Sequence, residues 1–454
     1  MTGFTFPAPL RPDVSIVIPT FRHWEWLART LGAVLANTKP CYELIVVDNA
    51  SPDGSSSRLA ATVENVRIVQ NQKNFGFGLA CNQGASFARG EFLVFLNSDA
   101  LVHSGWLPPL LETAANNPLI GAVGSRFLNL DGTIQEAGAL LFRDTTTGAY
   151  GNRCPDTPGD FHRPRVVDYV SAACLMVKRC AFNHVGGFDP VYAPAYYEDV
   201  DLCLNLASHG YLTVYEPRST VTHVYGWSEQ HDVNEAVLTR NRALFARRWS
   251  HVLASRPLVR SEGTRDIIAS RDAPLSDRLL VVTDRMPEEG SRGAELIREL
   301  AGLCPTGHVA LLARDATPGR RDDLLPVEIA PGGLDGAAEW LDDRRFHYDT
   351  ILSLAPRLDS LEGAVRKTQP QASWILDLDS EAIELIAHDE TIEGLGSAEA
   401  ALVESEEAVR ILNAKVPSLS TFLLGNGEAR HEALTELLVH EGFAIASGLA
   451  RAYE

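Results

Sequence analysis

Residues 91–100, Glu-Phe-Leu-Val-Phe-Leu-Asn-Ser-Asp-Ala, constrain this chain more than any other stretch. The unbroken apolar run from Phe92 to Leu96 has the length and composition of a strand buried on both faces, and such strands belong to parallel sheets covered by helices. It ends abruptly in Asn97, Ser98 and Asp99. In an open α/β sheet the carboxyl edge of the strands faces the crevice where ligands bind, so a carboxylate there is placed to hold a cation or a sugar phosphate. The same three residue types are also good helix caps, and this stretch alone leaves both readings open.

The residues around it repeat the pattern. Val14 to Thr20 is a β-branched run stopped by Pro19, and residues 24–36 carry apolar side chains at helical spacing (Trp24, Leu27, Leu31, Val34, Leu35). Strands are expected at 43–47, ending in Asp48-Asn49-Ala50-Ser51, and at 66–69, closed by Gln70 to Asn74. A small-residue helix then runs to Gly90. The alternation predicts a parallel α/β unit in which several strands present polar ends to one crevice. Gly76, Gly78 and Gly84 do not have Gly-x-Gly-x-x-Gly spacing and do not follow the first strand, which argues against a dinucleotide-binding dehydrogenase.

Composition narrows the function classes. The 454 residues carry a net charge of −19. Residues 1–250 hold 20 Lys and Arg against 23 Asp and Glu, and residues 251–454 hold 20 against 36, so the chain has two compositionally distinct halves. Nucleic-acid binding, which needs a basic face, is not expected. The seven cysteines form no Cys-x-x-Cys pair, so neither a disulfide framework nor a structural zinc site is suggested. No apolar stretch approaches the roughly 20 residues that span a bilayer, and residues 1–13 lack the pattern of a signal peptide, so a cytoplasmic protein is expected.

Seven motifs in order resemble those of family 2 glycosyltransferases with the GT-A fold: Val-Ser-Ile-Val-Ile-Pro-Thr20, Leu-Ile-Val-Val-Asp48-Asn-Ala-Ser, Asn74-Phe-Gly-Phe-Gly-Leu-Ala-Cys-Asn-Gln-Gly, Phe-Leu-Asn97-Ser-Asp99, Gly-Gly-Phe-Asp189, Tyr-Glu198-Asp199-Val-Asp201-Leu and Thr-His223-Val-Tyr-Gly226-Trp-Ser228. They cover about residues 13–250, and the Asn-Phe-Gly-Phe-Gly form with the ending around Arg240 to Trp249 is most similar to the rhamnosyltransferase-type branch. The resemblance implies an inverting transfer of a sugar from a nucleotide-diphosphate donor, dTDP-rhamnose or a UDP-sugar, to a hydroxyl of a cell-surface glycan or lipid-linked acceptor. A cytoplasmic enzyme is expected, with work at the inner face of the membrane and peripheral membrane association left open. Competing readings are a silent sugar-nucleotide-binding or assembly protein, motivated by Asn97 where the family's first aspartate stands, and a metal hydrolase built on Asp99 and His223.

By that resemblance each requirement of the chemistry has a candidate. Asp48 would accept a hydrogen bond from a pyrimidine ring N–H, with Pro19, Thr20 and Asn74 lining the same pocket. Asp99 and His223 would hold Mn²⁺ or Mg²⁺ against the diphosphate, with Asn97 a neutral contact; hard oxygen donors suit both cations, and imidazole suits Mn²⁺ better. Asp199 would be the base for the acceptor hydroxyl and Glu198 would orient a substrate. The crowding of Glu198, Asp199 and Asp201 costs repulsion and should raise at least one pKa, whereas the favourable effect of acids in a first helical turn already accounts for Asp201, a further candidate for donor contact. Residues 144–166 read as a polar loop, either a lid on the acceptor side or a surface insertion. Residues 169–177 read as a buried strand whose small residues Ser171, Ala172 and Ala173 let a ligand approach. Arg240, Arg242, Arg247 and Arg248 on the helix over 234–249 face either lipid phosphates or solvent.

Residues 251–276 read as a linker and 277–454 as a second, Rossmann-like α/β domain. Strands are expected at 278–283, 308–313, 348–354 and 373–378, with helices at 293–303 and 398–412. The pattern weakly resembles the N-terminal half of a GT-B glycosyltransferase. The resemblance implies no independent catalysis there, and leaves scaffolding, acceptor positioning or homo-oligomerisation as roles.

Overall fold

A computed structural model describes residues 3–39, 41–157, 160–224, 235–258, 264–275, 277–304, 307–316, 327–330, 334–345, 347–354, 359–388, 395, 398–424 and 428–441. The chain divides into two compact units, residues 1–157 with 164–262, and residues 158–163 with 263–454. Among the described residues no helix is long and apolar enough to cross a membrane.

The first unit is built on β1 (Val14–Thr20), α1 (Trp24–Asn37), β2 (Tyr42–Asp48), β3 (Arg67–Gln70), α2 (Phe77–Ser86) and β4 (Phe92–Leu96), followed by β5 (Ile120–Leu128), β6 (Ile134–Glu136), β7 (Cys174–Lys178), α3 (Glu198–Ser208), β8 (Leu212–His223) and α4 (Glu235–Arg248). Every residue of β1 and β2 is buried, as their continuous apolar pattern requires. Helix α1 lays Leu27, Leu31 and Val34 on one face of the sheet, against Ile16, Ile18, Val94 and Leu96.

The sheet is mixed rather than purely parallel. Its order runs Arg165–Val166, β8, β5, β7, β4, β1, β2, β3. Strands β1, β2, β3 and β4 are parallel, while β7 runs antiparallel to both β4 and β5. That reversal matters for position. Cys174, the first residue of β7, lies beside Leu96, the last of β4, so the small residues just before β7 share an edge with the polar ends of β1, β2 and β4. Strand β8 arrives at the same edge from the far side. Its register shifts between Glu216 and Thr220, a bulge that takes up Pro217, which has no N–H to give to a ladder, and re-aims the strand. The end of β8 then pairs antiparallel with Ala100–Val102, setting His223 opposite Ala100.

The segment 144–166 is not featureless: Thr147–Ala149 pairs antiparallel with Ala139–Leu141. The stretch read as a linker also contains helices, Ser250–Ala254 and Thr264–Arg271, and the second ends in buried Arg271 and Asp272.

The second unit holds a seven-stranded sheet, parallel wherever its pairing is described, in the order Glu328–Ile329, His308–Ala313, Arg278–Thr283, Thr350–Ser353, Ser373–Asp377, Ala400–Val403, Ser420–Leu423. The helix expected over 398–412 is corrected here. Residues Ala400–Val403 form a buried strand between two parallel neighbours, and the helix, Glu406–Lys415, starts only after Ser405, whose hydroxyl accepts from the Ala408 N–H. Ala-Ala-Leu-Val is a good helix sequence, but pairing on both sides outweighs so short a preference.

Candidate functional site

The polar ends of β1, β2 and β4 gather groups far apart in sequence. At the end of β4 the Asn97 N–H donates to the Ala173 carbonyl at 3.0 Å. One residue earlier, the Ala172 N–H donates to Asp199 Oδ2 at 3.4 Å. The residues leading into β7 therefore stand between the Asn-Ser-Asp turn and the acids that open α3.

Asp99 and His223 face each other, with Asp99 Oδ1 3.5 Å from His223 Nε2. Which proton His223 carries follows from its other side. Gln135 Nε2 donates to the His223 backbone carbonyl at 2.9 Å and to Asn129 Oδ1 at 3.2 Å, which turns Gln135 Oε1 toward His223 Nδ1 at 2.8 Å. An amide oxygen can only accept, so Nδ1 carries the proton and Nε2 presents its lone pair toward Asp99. Asn97 Nδ2 lies 3.2 Å from that same Nε2. Asp99 is buried, and its Oδ2 has no hydrogen-bond partner among the described residues. A carboxylate with an orphaned oxygen beside an imidazole nitrogen is a donor set suited to a divalent cation.

Across those residues the acids crowd as their spacing suggested. Glu198 is buried with Oε2 unpartnered among the described residues. Burial, and then the charge of Asp199, push its carboxyl up to about 8. Burial also raises Asp199, even though the Val200 and Ala172 N–H groups favour its charged form. A carboxyl not singled out in the sequence joins them. Glu136, at the end of β6, accepts from the Ser171 N–H at 3.1 Å, and burial together with the Asp199 charge pushes it up to about 7.

The donor-side candidates show a different pattern. Asp48 is fully buried and already has donors on both oxygens: the Ser51 N–H and hydroxyl on Oδ1, the Ser56 hydroxyl on Oδ2. Pro19 and Thr20 end β1 beside Val47 and Asp48, and the buried Thr20 hydroxyl has no partner among the described residues. Asn74 is exposed and closes its own turn, its Oδ1 accepting from the Gly76 N–H at 2.8 Å. Gly76 has φ +89°, and a Cβ there would stand 2.2 Å from the Pro194 carbonyl oxygen. A Cβ at Gly78 would meet that of Phe188 at 3.0 Å and that of Glu198 at 3.6 Å. Hence these glycines hold no dinucleotide; they let the first turn of α2 close onto the loop that delivers Glu198.

Asp201 is corrected from a donor-contact candidate to a structural pin. Its Oδ1 accepts from the Tyr192 hydroxyl at 2.9 Å and the Trp249 indole at 2.7 Å, and its Oδ2 lies 3.3 Å from Arg248. Three of the α4 arginines, though exposed, are tied to neighbouring segments: Arg240 donates to the carbonyls of Val191 and Ala193, Arg242 to Thr145 and Asp144, and Arg248 to Asp189. Arg247 is exposed. Gly226 and Ser228 lie outside the described residues.

In the second unit Asp272, His308 and His347 bring ligand atoms within 4.8 Å of one another. Three guanidiniums already surround this cluster. Arg271 pairs with Asp272, and Arg271, Arg163 and Arg344 all reach Glu328, which also meets His308 at 2.9 Å. Burial alone would raise both acids, but these cations hold Asp272 and Glu328 well below the usual carboxylate range. Positive charge is in excess there, so the cluster reads as an internal ion-pair network. At the carboxyl edge of this sheet Arg292 clamps Asp377 at 2.6 and 2.7 Å and Glu404 at 2.5 Å.

Gln135 and Glu136 are the residues that reading the sequence missed. They occupy a three-residue strand with no recognisable period, and nothing local marks either as facing the cleft.

Residues 15–186 match the family described as glycosyl transferase family 2. An uncharacterised protein of Sinorhizobium fredii is 30% identical over 257 residues, covering 54% of this chain and 28% of that protein. The N-acetylglucosaminyl-diphospho-decaprenol L-rhamnosyltransferase of Mycobacterium tuberculosis is 29% identical over 230 residues, covering 46% of this chain and 75% of the relative. Among solved structures, GalNAc-T7 with UDP, GalNAc and Mn²⁺ superposes with a TM-score of 0.44 at 18% identity over 54% of this chain and 50% of that one.

Proposed function

From the match of residues 15–186 to glycosyl transferase family 2 we infer that the first unit is an inverting transferase that moves a sugar from a nucleoside-diphosphate donor to an acceptor hydroxyl. The observation that carries this reading is the facing of Asp99 and the His223 lone pair, with Asp199 held just across Ala172 and Ala173. The relationship to an L-rhamnosyltransferase acting on a lipid-linked sugar favours a deoxysugar donor of the dTDP or UDP type and a lipid-linked or surface-glycan acceptor. Work at the inner face of a membrane would follow from such an acceptor.

Asp99 and His223 would hold Mn²⁺ or Mg²⁺, with Gln135 fixing the imidazole from its Nδ1 side and Asn97 a neutral contact beside Nε2. Bound there, a divalent cation supplies positive charge to the departing diphosphate. Thr20 and Asp48, at the neighbouring strand ends, would take the nucleobase, an N–H of the base replacing one serine hydroxyl on Asp48. Asp199 takes the proton of the acceptor hydroxyl as its oxygen bonds to the anomeric carbon; the bond from that carbon to the phosphate oxygen breaks, and its electron pair leaves with the nucleoside diphosphate. Attack from the face opposite the leaving group inverts the anomeric centre. Glu198, raised and buried, would stay protonated at neutral pH and donate a hydrogen bond within the cleft.

The test is nucleotide release from UDP- and dTDP-sugars with Mn²⁺ or Mg²⁺, comparing the wild type with Asp99→Ala and Asp199→Asn. Release that depends on all three of metal, Asp99 and Asp199 supports the reading. Donor binding without turnover points instead to a silent sugar-nucleotide-binding protein, and release indifferent to Asp199→Asn removes the assigned base.

A further inference from the structure

Glu136 has no part in the chemistry above, yet it is placed as if it had one. Two consecutive amides hold two carboxyls side by side: the Ser171 N–H donates to Glu136 at 3.1 Å, and the Ala172 N–H donates to Asp199 at 3.4 Å. Both residues are only partly covered. They are near enough for the charge of Asp199 to act on Glu136, and buried Tyr169 and Cys203 feel both. A purely structural acid would be expected to find a cationic partner or to lie on the outside. Among the described residues Glu136 has no cationic partner: a single backbone N–H holds it, and the charge that acts on it, that of Asp199, has the same sign.

Carboxyls fixed at adjacent positions match a particular ligand chemistry. Neighbouring hydroxyls of a sugar ring project in the same way, each able to donate to one carboxylate. We propose that Glu136 is a positioning residue of the acceptor subsite, receiving the hydroxyl next to the one that reacts, so that the acceptor is a saccharide bearing two vicinal hydroxyls at the site of transfer. This rests on the transferase reading and deepens it. Asp199 removes the proton of the reacting hydroxyl, while Glu136 exchanges no proton with the substrate and holds the adjacent hydroxyl, so that only one of the two oxygens can approach the anomeric carbon. Glu136 thereby decides the linkage. The geometry makes β6 serve both substrates: Gln135 orients His223 on the donor side, and the next residue reads the acceptor.

A site that hydrogen-bonds a substrate hydroxyl discriminates against the analogue lacking it, because its own polar group is left unpaired. The experiment measures kcat/KM for nucleotide release by the full chain, with whichever UDP- or dTDP-sugar the wild type turns over and Mn²⁺ present. The acceptors are octyl glucoside, octyl mannoside and octyl rhamnoside, each beside its monodeoxy analogues. The wild type is expected to prefer one vicinal diol over the analogue lacking the neighbouring hydroxyl by roughly 10- to 100-fold. Glu136→Ala should flatten that ratio to within about two-fold whatever its absolute rate, and Glu136→Gln, which keeps an acceptor atom, should restore part of it. The linkage formed by Glu136→Ala, read by NMR, should become mixed. A ratio that survives Glu136→Ala, or a wild type that shows no such ratio with any glycoside, overturns the proposal while leaving the transferase reading intact. A wild type that releases nucleotide from no donor overturns the transferase reading and the proposal with it.

Discussion

Gln135 fixes the tautomer of His223: its Oε1 lies 2.8 Å from Nδ1, while its amide nitrogen is tied to the His223 carbonyl and to Asn129. Groups that orient a ligating histidine are typically worth 10- to 100-fold in metal affinity. Gln135→Ala is therefore expected to weaken Mn²⁺ binding by roughly that factor, read by electron paramagnetic resonance titration of free Mn²⁺, with no comparable loss of thermal stability. Unchanged affinity would mean that His223 does not ligate through Nε2.

Asp199 must be ionised to take a proton, and burial raises it above the ordinary aspartate range. The rate should therefore climb with pH along a limb lying above that range. Asp199→Asn should remove the limb and lower kcat by roughly 10²- to 10⁴-fold, with donor KM changing little. A pH profile of kcat/KM for both proteins checks this; a limb that persists in the variant assigns it to another group.

Gly76 combines φ +89° with a 2.2 Å approach of any added Cβ to the Pro194 oxygen. Gly76→Ala should cost about 1–3 kcal/mol of stability, from strained backbone and from the displaced loop together. Calorimetry should show the first unit melting several degrees lower, and nucleotide release should fall because the displaced loop carries Glu198. Gly54, at φ +80° with nothing within 4 Å, serves as the control: Gly54→Ala meets the backbone penalty without the collision and should leave release intact.

The two units should respond to pH in opposite directions. Glu198 stands at about 8 when folded against an ordinary 4.5, so the folded state holds the proton more tightly; the stability it contributes is complete below pH 4.5 and is lost as pH rises through 8. In the second unit burial lowers His347 to about 4 from 6.5, so its contribution is complete above pH 6.5 and is lost as pH falls through 4. Scanning calorimetry between pH 5 and 8 should show Glu198→Gln gaining on the wild type as pH rises, and His347→Gln gaining as pH falls. Trends of the reverse sign would place those groups in environments other than the ones described.

Much of this was legible because strand ends announce themselves. Apolar runs closed by Asp48 and by Asn97-Ser98-Asp99 are local patterns, and the parallel order of β1, β2 and β4 turns them into neighbours. What local pattern could not show was the reversal of β7, which brings Ala172 and Ala173 between Asp99 and Asp199. Nor could it show the partners of an acid: Glu198, Asp199 and Asp201 look alike in sequence, and only the positions of Trp249 and Arg248 set Asp201 apart. Gln135 and Glu136 stayed hidden because their importance lies wholly in what β8 and the approach to β7 place opposite them. The strand Ala400–Val403 was masked for the related reason that its neighbours, not its composition, make it a strand.

At the seam where Gly76 meets Pro194 there is no room for a methyl group, and at Gly78 one would press tightly on Phe188. Segments 74–78 and 188–198 must therefore be inherited as a matched set, although more than a hundred residues of chain separate them. A chimera that imports one segment from a relative without the other should misfit at that junction, whereas swapping both together should preserve the fit.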